Sequence, residues 1–161
     1  MIRYRTLRRN DVSEIQRVAR KAFIHAYRKI ESRATINRIL SERYSNSSFE
    51  QTVFPSIRRG DTQFYLALDG RKIIGYTNVR KYRSGWELYR IYLLPEYIGK
   101  GVGKKLLLLG EQFFRKKRAR KYHVYVFWKN KLGLQFYFRN GFVRMKRKDR
   151  GRLELYLEKK L

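Results

Sequence analysis

The sequence predicts an α/β (α+β mixed) fold, in which a mixed sheet carries helices on its faces. Three observations predict it. Strand-like runs alternate with helical stretches, Asp69-Gly70 gives a strong hairpin signal, and residues 86–128 have the strand, helix and strand of a parallel βαβ unit. The length of 161 residues suits one domain, and the connections are short. We therefore expect residues 1–161 to form a single domain with one core.

The chain begins with a predicted strand and a long helix. Ile2, Tyr4 and Leu7 lie in a short extended segment, and Asp11-Val12-Ser13-Glu14 has the spacing of a helix capping box. The apolar residues that follow recur every three or four positions and predict one buried helix face, formed by Ile15, Val18, Ala19, Ala22, Phe23 and Ala26.

Residues 32–59 predict one or two less regular helices. The pattern of the first part is interrupted at Ser45-Asn46-Ser47-Ser48, and its shared apolar face is formed by Ile36, Ile39, Leu40 and Tyr44. Pro55 either starts a turn or kinks a second short helix, and the sequence leaves both possibilities open. Gly60-Asp61 closes this region.

A run of strands follows. Residues 64–68 and 72–79 flank the Asp69-Gly70 turn and predict an antiparallel hairpin. Ser84-Gly85 offers a second turn before residues 86–93, whose mixture of aliphatic residues and tyrosines is expected of a largely buried strand. Pro95 ends that strand.

The second half of the chain predicts two helices among three strands. Residues 102–117 have helical spacing, and the basic residues at 115–121 suit a helix C-terminus. A strand at 122–128 precedes a helix at 132–139, which ends at the left-handed cap signal Asn140-Gly141. Two final strand-like runs surround Arg150-Gly151.

The composition excludes several kinds of metal site and catalytic nucleophile. With no cysteine and only His25 and His123, thiolate zinc sites, a cysteine nucleophile and a histidine-rich metal cluster are excluded, so we expect no metal. No window approaches eighteen uncharged apolar residues and no signal-like core is present, which predicts a soluble cytoplasmic protein. The net charge of +27 either attracts polyanions and phosphorylated cofactors or reflects a generally basic surface.

The most informative segment is a glycine-rich turn between a strand and an amphipathic helix, Gly99-Lys100-Gly101-Val102-Gly103. The first N–H groups of such a helix lack intrahelical partners and carry the positive end of its dipole, so they form a cradle for phosphate oxygens. Lys104 and Lys105 add positive charge beside it. The alternative is a helix start that merely tolerates glycine.

Two better-known phosphate loops do not match this segment. A P-loop needs four residues between its first glycine and Gly-Lys-Ser/Thr, whereas these glycines alternate and no Ser or Thr follows the lysine. The dinucleotide fingerprint needs its third glycine three residues after the second, whereas Gly99, Gly101 and Gly103 are evenly spaced.

Residues 91–103 resemble the acetyl-CoA signature of GNAT acetyltransferases, Arg/Gln-x-x-Gly-x-Gly/Ala after a strand that ends in a proline-containing turn. Asn130, Phe136-Tyr137 and Gly141-Phe142 are similar to the family's later motif, in which an Asn precedes a helix bearing Phe-Tyr. The resemblance covers about residues 62–145. It implies a mostly antiparallel sheet of about seven strands, flanked by helices, whose central parallel strands splay apart.

The resemblance also implies acetyl-CoA as the cosubstrate. Pantetheine would enter between the strands at 86–93 and 122–128, and Asn130 is either a partner on the cofactor side or a turn residue. Ile98 stands where the family usually has Arg or Gln, a loss for which Lys100 or Lys104 would compensate. The implied cofactor-binding residues are Ile91, Tyr92, Leu93, Ile98, Gly99, Lys100, Gly101, Val102, Gly103, Lys104 and Asn130.

The implied reaction is direct acetyl transfer to an amine in a ternary complex, since no covalent nucleophile is evident. An alkylammonium must lose a proton before attack, and Glu87 is the candidate acceptor because the family carries a catalytic Glu at a similar strand position. Tyr137 is the candidate proton donor to the departing thiolate. The alternatives are an ordinary exposed strand glutamate and a core aromatic residue.

The acceptor is left open among a protein N-terminus, a lysine side chain and a small amine, and the positive field is expected to oppose free polyamines. Two other functions remain: a basic nucleic-acid-binding module, favoured by the charge and by aromatic residues among Lys and Arg at 121–131, and a non-catalytic acetyl-CoA-binding protein. Contact with nucleic acid or a ribonucleoprotein and formation of a homodimer are left open, and no membrane contact is expected.

Overall fold

Seven strands form one mixed sheet in the computed structural model, which describes residues 1–83 and 85–161. Their order across the sheet is β1-β2-β3-β4-β5-β7-β6. The strands are β1 (Ile2–Thr6), β2 (Thr62–Asp69), β3 (Lys72–Tyr82), β4 (Gly85–Leu93), β5 (Lys121–Phe127), β6 (Val143–Arg144) and β7 (Glu154–Lys160). Neighbouring strands are antiparallel except β4 and β5, which are parallel. The predicted fold class is confirmed.

Helices flank this sheet: α1 (Val12–Tyr27), α2 (Arg33–Tyr44), α3 (Asn46–Ser48), α4 (Phe54–Arg59), α5 (Val102–Lys116) and α6 (Lys131–Arg139). One apolar cluster, which includes Phe49, Phe64 and Tyr76, lies under α1, α2 and α4. A second cluster, which includes Phe114 and Leu157, joins α5 and α6 to β5 and β7. Among the described residues, no helix combines the length and the apolar character needed to cross a bilayer.

The two parallel strands separate almost at once. In the described chain, β4 pairs with β5 through Glu87 and His123 alone, whereas β4 pairs with β3 over most of its length. Beyond that single pair, the backbone of β4 on the β5 side therefore has no strand partner. This separation opens the gap that holds the candidate site.

Two local predictions need correction, at Asp11 and at the first of the final strands, and the choice left open at Pro55 is decided. The capping box at Asp11 and Glu14 does not form, because the Asp11 carboxylate accepts the Arg8 N–H at 2.7 Å and leaves the start of α1 without a side-chain cap. Pro55 lies in the first turn of α4, which follows a π-helical segment. The first of the final strands is reduced to the two residues of β6.

The predicted turn at Ser84-Gly85 cannot be compared in full, because Ser84 lies outside the described residues. The interruption at 45–48 is present, since Ser45 separates α2 from α3 and its hydroxyl accepts the Ser48 N–H.

Candidate active site

A pocket follows the gap between β4 and β5. Its walls come from α1, β4, the start of α5, β5 and α6. It brings together seven of the predicted site residues, Ile91, Tyr92, Leu93, Ile98, Gly103, Asn130 and Tyr137. The remaining predicted loop residues belong to the turn that leads into α5 or to the first turn of α5 itself, so this segment and the pocket form one continuous site.

The glycine-rich turn has the geometry of an anion cradle. Gly99 and Gly101 have φ angles of 82° and 79°, in the left-handed region that favours glycine. Gly101 is the N-cap of α5, and the first intrahelical bond runs from the Lys105 N–H to its carbonyl at 3.1 Å. The N–H groups of Val102, Gly103 and the residue after them therefore precede the hydrogen-bonded turns and remain available to an anion.

The charged residues of this turn lie at the surface. Lys100 and Lys104 are exposed, and the Lys100 ammonium lies 5.3 Å from the centroid of the Tyr97 ring. Ile98 is 37% exposed and contributes to the pocket wall. The cradle is therefore made of backbone, and the lysines add charge around it.

Asn130 joins three elements of the site. Its Oδ1 accepts the Gly133 N–H at 3.0 Å and caps α6, while its Nδ2 donates to the Tyr27 hydroxyl on α1 at 3.1 Å. Asn130 therefore ends a turn and also lines the pocket, and its contact with a cofactor stays a prediction.

Tyr137 presents a buried phenol to the pocket. Its side chain is 8% exposed, and its hydroxyl has no hydrogen-bond partner within the part of the chain that the structure describes. Burial, with a further contribution from Tyr27, raises the pKa of Tyr137 above its ordinary value, so the phenol stays protonated at neutral pH. The hydroxyl is available as a donor.

Glu87 lies apart from these residues. It is 3% exposed, does not line the pocket, and its Oε2 accepts a hydrogen bond from Arg80 Nε at 2.6 Å. It stands beside His123 at the point where β4 and β5 pair. Its catalytic role stays a prediction.

Sequence reasoning did not single out the residues at the other end of the pocket, Tyr89, Arg90 and Tyr125, nor Tyr27 on α1. One signal was present in the sequence. Arg90 interrupts a strand that is otherwise mostly apolar and aromatic, and arginine is seldom fully buried without a partner.

Comparison with known proteins identifies relatives of this chain. Residues 22–142 match the model of the Acetyltransferase (GNAT) family. The spermidine N(1)-acetyltransferase of Thermoplasma acidophilum is 32% identical over 159 residues, which are 99% of this chain and 97% of that protein.

Solved structures agree in fold. The PaiA N-acetyltransferase of Thermoplasma acidophilum, crystallised in complex with coenzyme A, superposes with a TM-score of 0.92 at 31% identity and covers 100% of this chain and 99% of that one. A GNAT-family acetyltransferase of Staphylococcus aureus Mu50 has a TM-score of 0.78 at 15% identity over 100% and 99% of the two chains.

Proposed function

The chain belongs to the Acetyltransferase (GNAT) family, whose cosubstrate is acetyl-CoA, and from this premise we propose that it acetylates a primary amine by direct attack in a ternary complex. One observation carries the proposal. The pocket between β4 and β5 connects the backbone cradle at the start of α5 to the Tyr137 hydroxyl, which has no hydrogen-bond partner among the described residues.

Different groups of the chain are suited to different parts of acetyl-CoA. The α5 N–H groups and the φ-positive glycines fit a pyrophosphate. The β4 backbone at Ile91, Tyr92 and Leu93 pairs with β3 but has no strand partner on the β5 side within the described residues, and that open side fits an extended amide-containing arm. The further predicted contacts are Ile98, which supplies apolar surface, and Asn130, which holds α6 against α1. Acetyl-CoA, when bound, supplies the activated acetyl group.

Two proton movements accompany the transfer. Tyr137 donates to the departing sulfur, because a phenol is protonated at neutral pH and burial raises the pKa of Tyr137 further. Glu87 remains the candidate carboxylate that receives the proton of the acceptor ammonium, and its ion pair with Arg80 makes this the weaker assignment. No covalent nucleophile is required.

The remaining predictions are kept as parts of this proposal. Residues 1–161 form one acetyltransferase domain, which the continuous seven-stranded sheet supports. The acceptor is a protein N-terminus, a lysine or a small amine. A cytoplasmic location, contact with nucleic acid or a ribonucleoprotein, and a homodimer stay predictions.

Calorimetric titration with acetyl-CoA tests the proposal. In Gly101→Asp, a carboxylate replaces open space at the cradle and repels the pyrophosphate, which should lower affinity roughly 10- to 100-fold. Gly101→Asn is the matched control, because it imposes the same strain at φ 79° without the charge. Equal affinities of the two variants would contradict the cradle, and absence of acetyl-CoA-dependent thiol release with every primary amine tried would contradict the enzyme.

A further inference from the structure

Arg90 is a buried cation without an acidic partner. It is 8% exposed, and its guanidinium carbon lies 4.2 Å and 4.4 Å from the ring centroids of Tyr44 and Tyr89. Nη2 donates to the Arg43 carbonyl and to the Tyr89 hydroxyl, both at 3.3 Å. Within residues 1–83 and 85–161, no carboxylate forms an ion pair with Arg90.

The fold compensates this charge only in part. The Arg43 carbonyl belongs to the last turn of α2, where the helix dipole supplies roughly half of a negative charge. A buried guanidinium normally has a full negative charge beside it, because an unpaired one is costly to desolvate. Both bonds use Nη2, so the other N–H donors of Arg90 remain for a ligand.

Arg90 also faces the pocket, at the end away from the cradle. Arg90 and Leu93 both line it, and three residue steps along β4 place their Cα atoms about 10 Å apart. Ile98 and Gly103 lie beyond Leu93, at the cradle end. An extended group that runs from the cradle therefore points towards Arg90.

Two more arginines cover the tyrosines of this end. The Arg80 guanidinium lies 3.3 Å from the ring centroid of Tyr89, and that of Arg150 lies 3.6 Å from the ring centroid of Tyr125. Tyr89 and Tyr125 both line the pocket. The far end of the pocket is therefore an electropositive, aromatic surface.

The carboxylates nearest to these arginines are already engaged. Glu87 accepts from Arg80 at 2.6 Å, and Glu154 lies 3.6 Å from Arg150. The charge of each of these carboxylates is thus offset by one arginine, whereas Arg90 has no such partner among the described residues and is left to bind an anionic ligand.

We propose that the far end of the pocket binds a carboxylate of the acceptor, so that the acceptor is an amino acid or another small amine that carries an acid group, held by Arg90. This inference rests on the proposed acetyltransferase activity and specifies its substrate class. A single guanidinium with part of its donors in use matches one carboxylate in charge and in hydrogen bonds. A polyamine brings further positive charge towards Arg90 and is disfavoured.

Three acceptors of equal chain length test the proposal: 5-aminovalerate, pentylamine and 1,5-diaminopentane. With the full-length protein and saturating acetyl-CoA, we expect kcat/KM to be about 10-fold or more higher for 5-aminovalerate than for pentylamine, and lowest for the diamine. The same measurement with shorter and longer ω-amino acids identifies the acceptor chain length that gives the highest kcat/KM. Valerate, which has no amine, should compete with the acceptor.

Arg90→Met should remove this preference, so that kcat/KM for 5-aminovalerate falls about 10-fold relative to kcat/KM for pentylamine in the same variant. Arg58→Met is the matched control, because it deletes an exposed arginine on α4, outside the pocket, and should keep the preference. The competition by valerate uses the unaltered protein, so the test survives a variant that does not fold.

The outcomes separate the two proposals. Acetylation of pentylamine or 1,5-diaminopentane as efficient as that of 5-aminovalerate would overturn the carboxylate site and keep the enzyme. Binding of acetyl-CoA without acetylation of any amine would overturn the proposed function itself. A 10-fold preference for phosphoethanolamine over ω-amino acids would replace the carboxylate by a phosphate and overturn the proposal.

Discussion

The two ends of the pocket are built from different parts of the chain. At the cradle end, backbone N–H groups of α5 and two glycines with positive φ form the surface. At the far end, Arg90, Tyr89 and Tyr125 form it with their side chains. Backbone groups suit a part of the ligand that all members of a family share, whereas side chains can change without changing the fold. We therefore expect the cradle end to bind the part of the ligand that the family shares, and the far end to select the acceptor.

Tyr137→Phe tests whether the reacting atoms lie between these two ends. Loss of a hydroxyl that acts only as the sulfur departs should lower kcat and kcat/KM together by about 100-fold and leave acetyl-CoA affinity unchanged. Steady-state kinetics and calorimetry measure both. Tyr65→Phe makes the same deletion at a half-buried tyrosine outside the pocket and serves as the control. A change confined to KM would place Tyr137 among the binding residues.

Glu87→Gln tests the assignment of the proton acceptor. We expect a smaller loss of kcat, about 10-fold, because water can also accept the proton. Arg80→Gln breaks the same ion pair from the other side and should leave kcat closer to that of the wild type. Equal losses of kcat in the two variants, with a lower unfolding midpoint in both, would reduce Glu87 to a structural partner of Arg80.

The pKa of His123 reports the positive charge near the far end. The His123 ring stacks on the Tyr156 ring, with the ring centroids 4.8 Å apart. Burial first, and then the charge of Arg150, lowers the pKa of His123 to about 4 from an ordinary 6.5. Lys148 and Arg80 act in the same direction, and Glu158 opposes them. In Arg150→Met, NMR titration should show this pKa moving back towards its ordinary value, whereas Arg58→Met should leave it unchanged. An unmoved pKa would argue against a strong positive field here.

The lowered pKa of His123 also determines how the stability of the fold changes with pH. Between pH 6.5 and about 4 the unfolded chain binds a proton that folded His123 does not. The free energy of unfolding should therefore fall as the pH drops through this window, by about 3 kcal/mol from this residue. Denaturant unfolding of the wild type and of His123→Phe measures it, and the variant should lose that part of the pH dependence.

Most of the fold was predictable because periodicity and turn residues act locally. The hairpin at Asp69-Gly70 and the strand, helix and strand from β4 to β5 are confirmed. Prediction from local spacing was wrong where a side chain had another hydrogen-bond partner available. Asp11 has the spacing of a cap, but Arg8 and Arg5 bind its carboxylate. The spacing carries no information about those contacts.

The cradle end was predictable for a related reason, since it depends on three glycines and a helix start in one short segment. The far end was not, because it is assembled from β4, β5 and the segment before β7, which are distant in the chain. Tyr89 and Tyr125 resemble the other tyrosines of the sequence. Their place beside two arginines depends on the splay of β4 from β5 and on the chain that returns after β6.

The single pair between β4 and β5 has a mechanical consequence. Strands β1 to β4 form one leaf, and β5, β7 and β6 form another, joined in the sheet by Glu87 and His123. A joint of one residue pair lets the leaves open and close about it with little loss of backbone hydrogen bonding. We expect such breathing on the microsecond to millisecond scale, and a ligand that bridges both leaves should damp it. We therefore expect the sheet to work as a hinge as well as a scaffold.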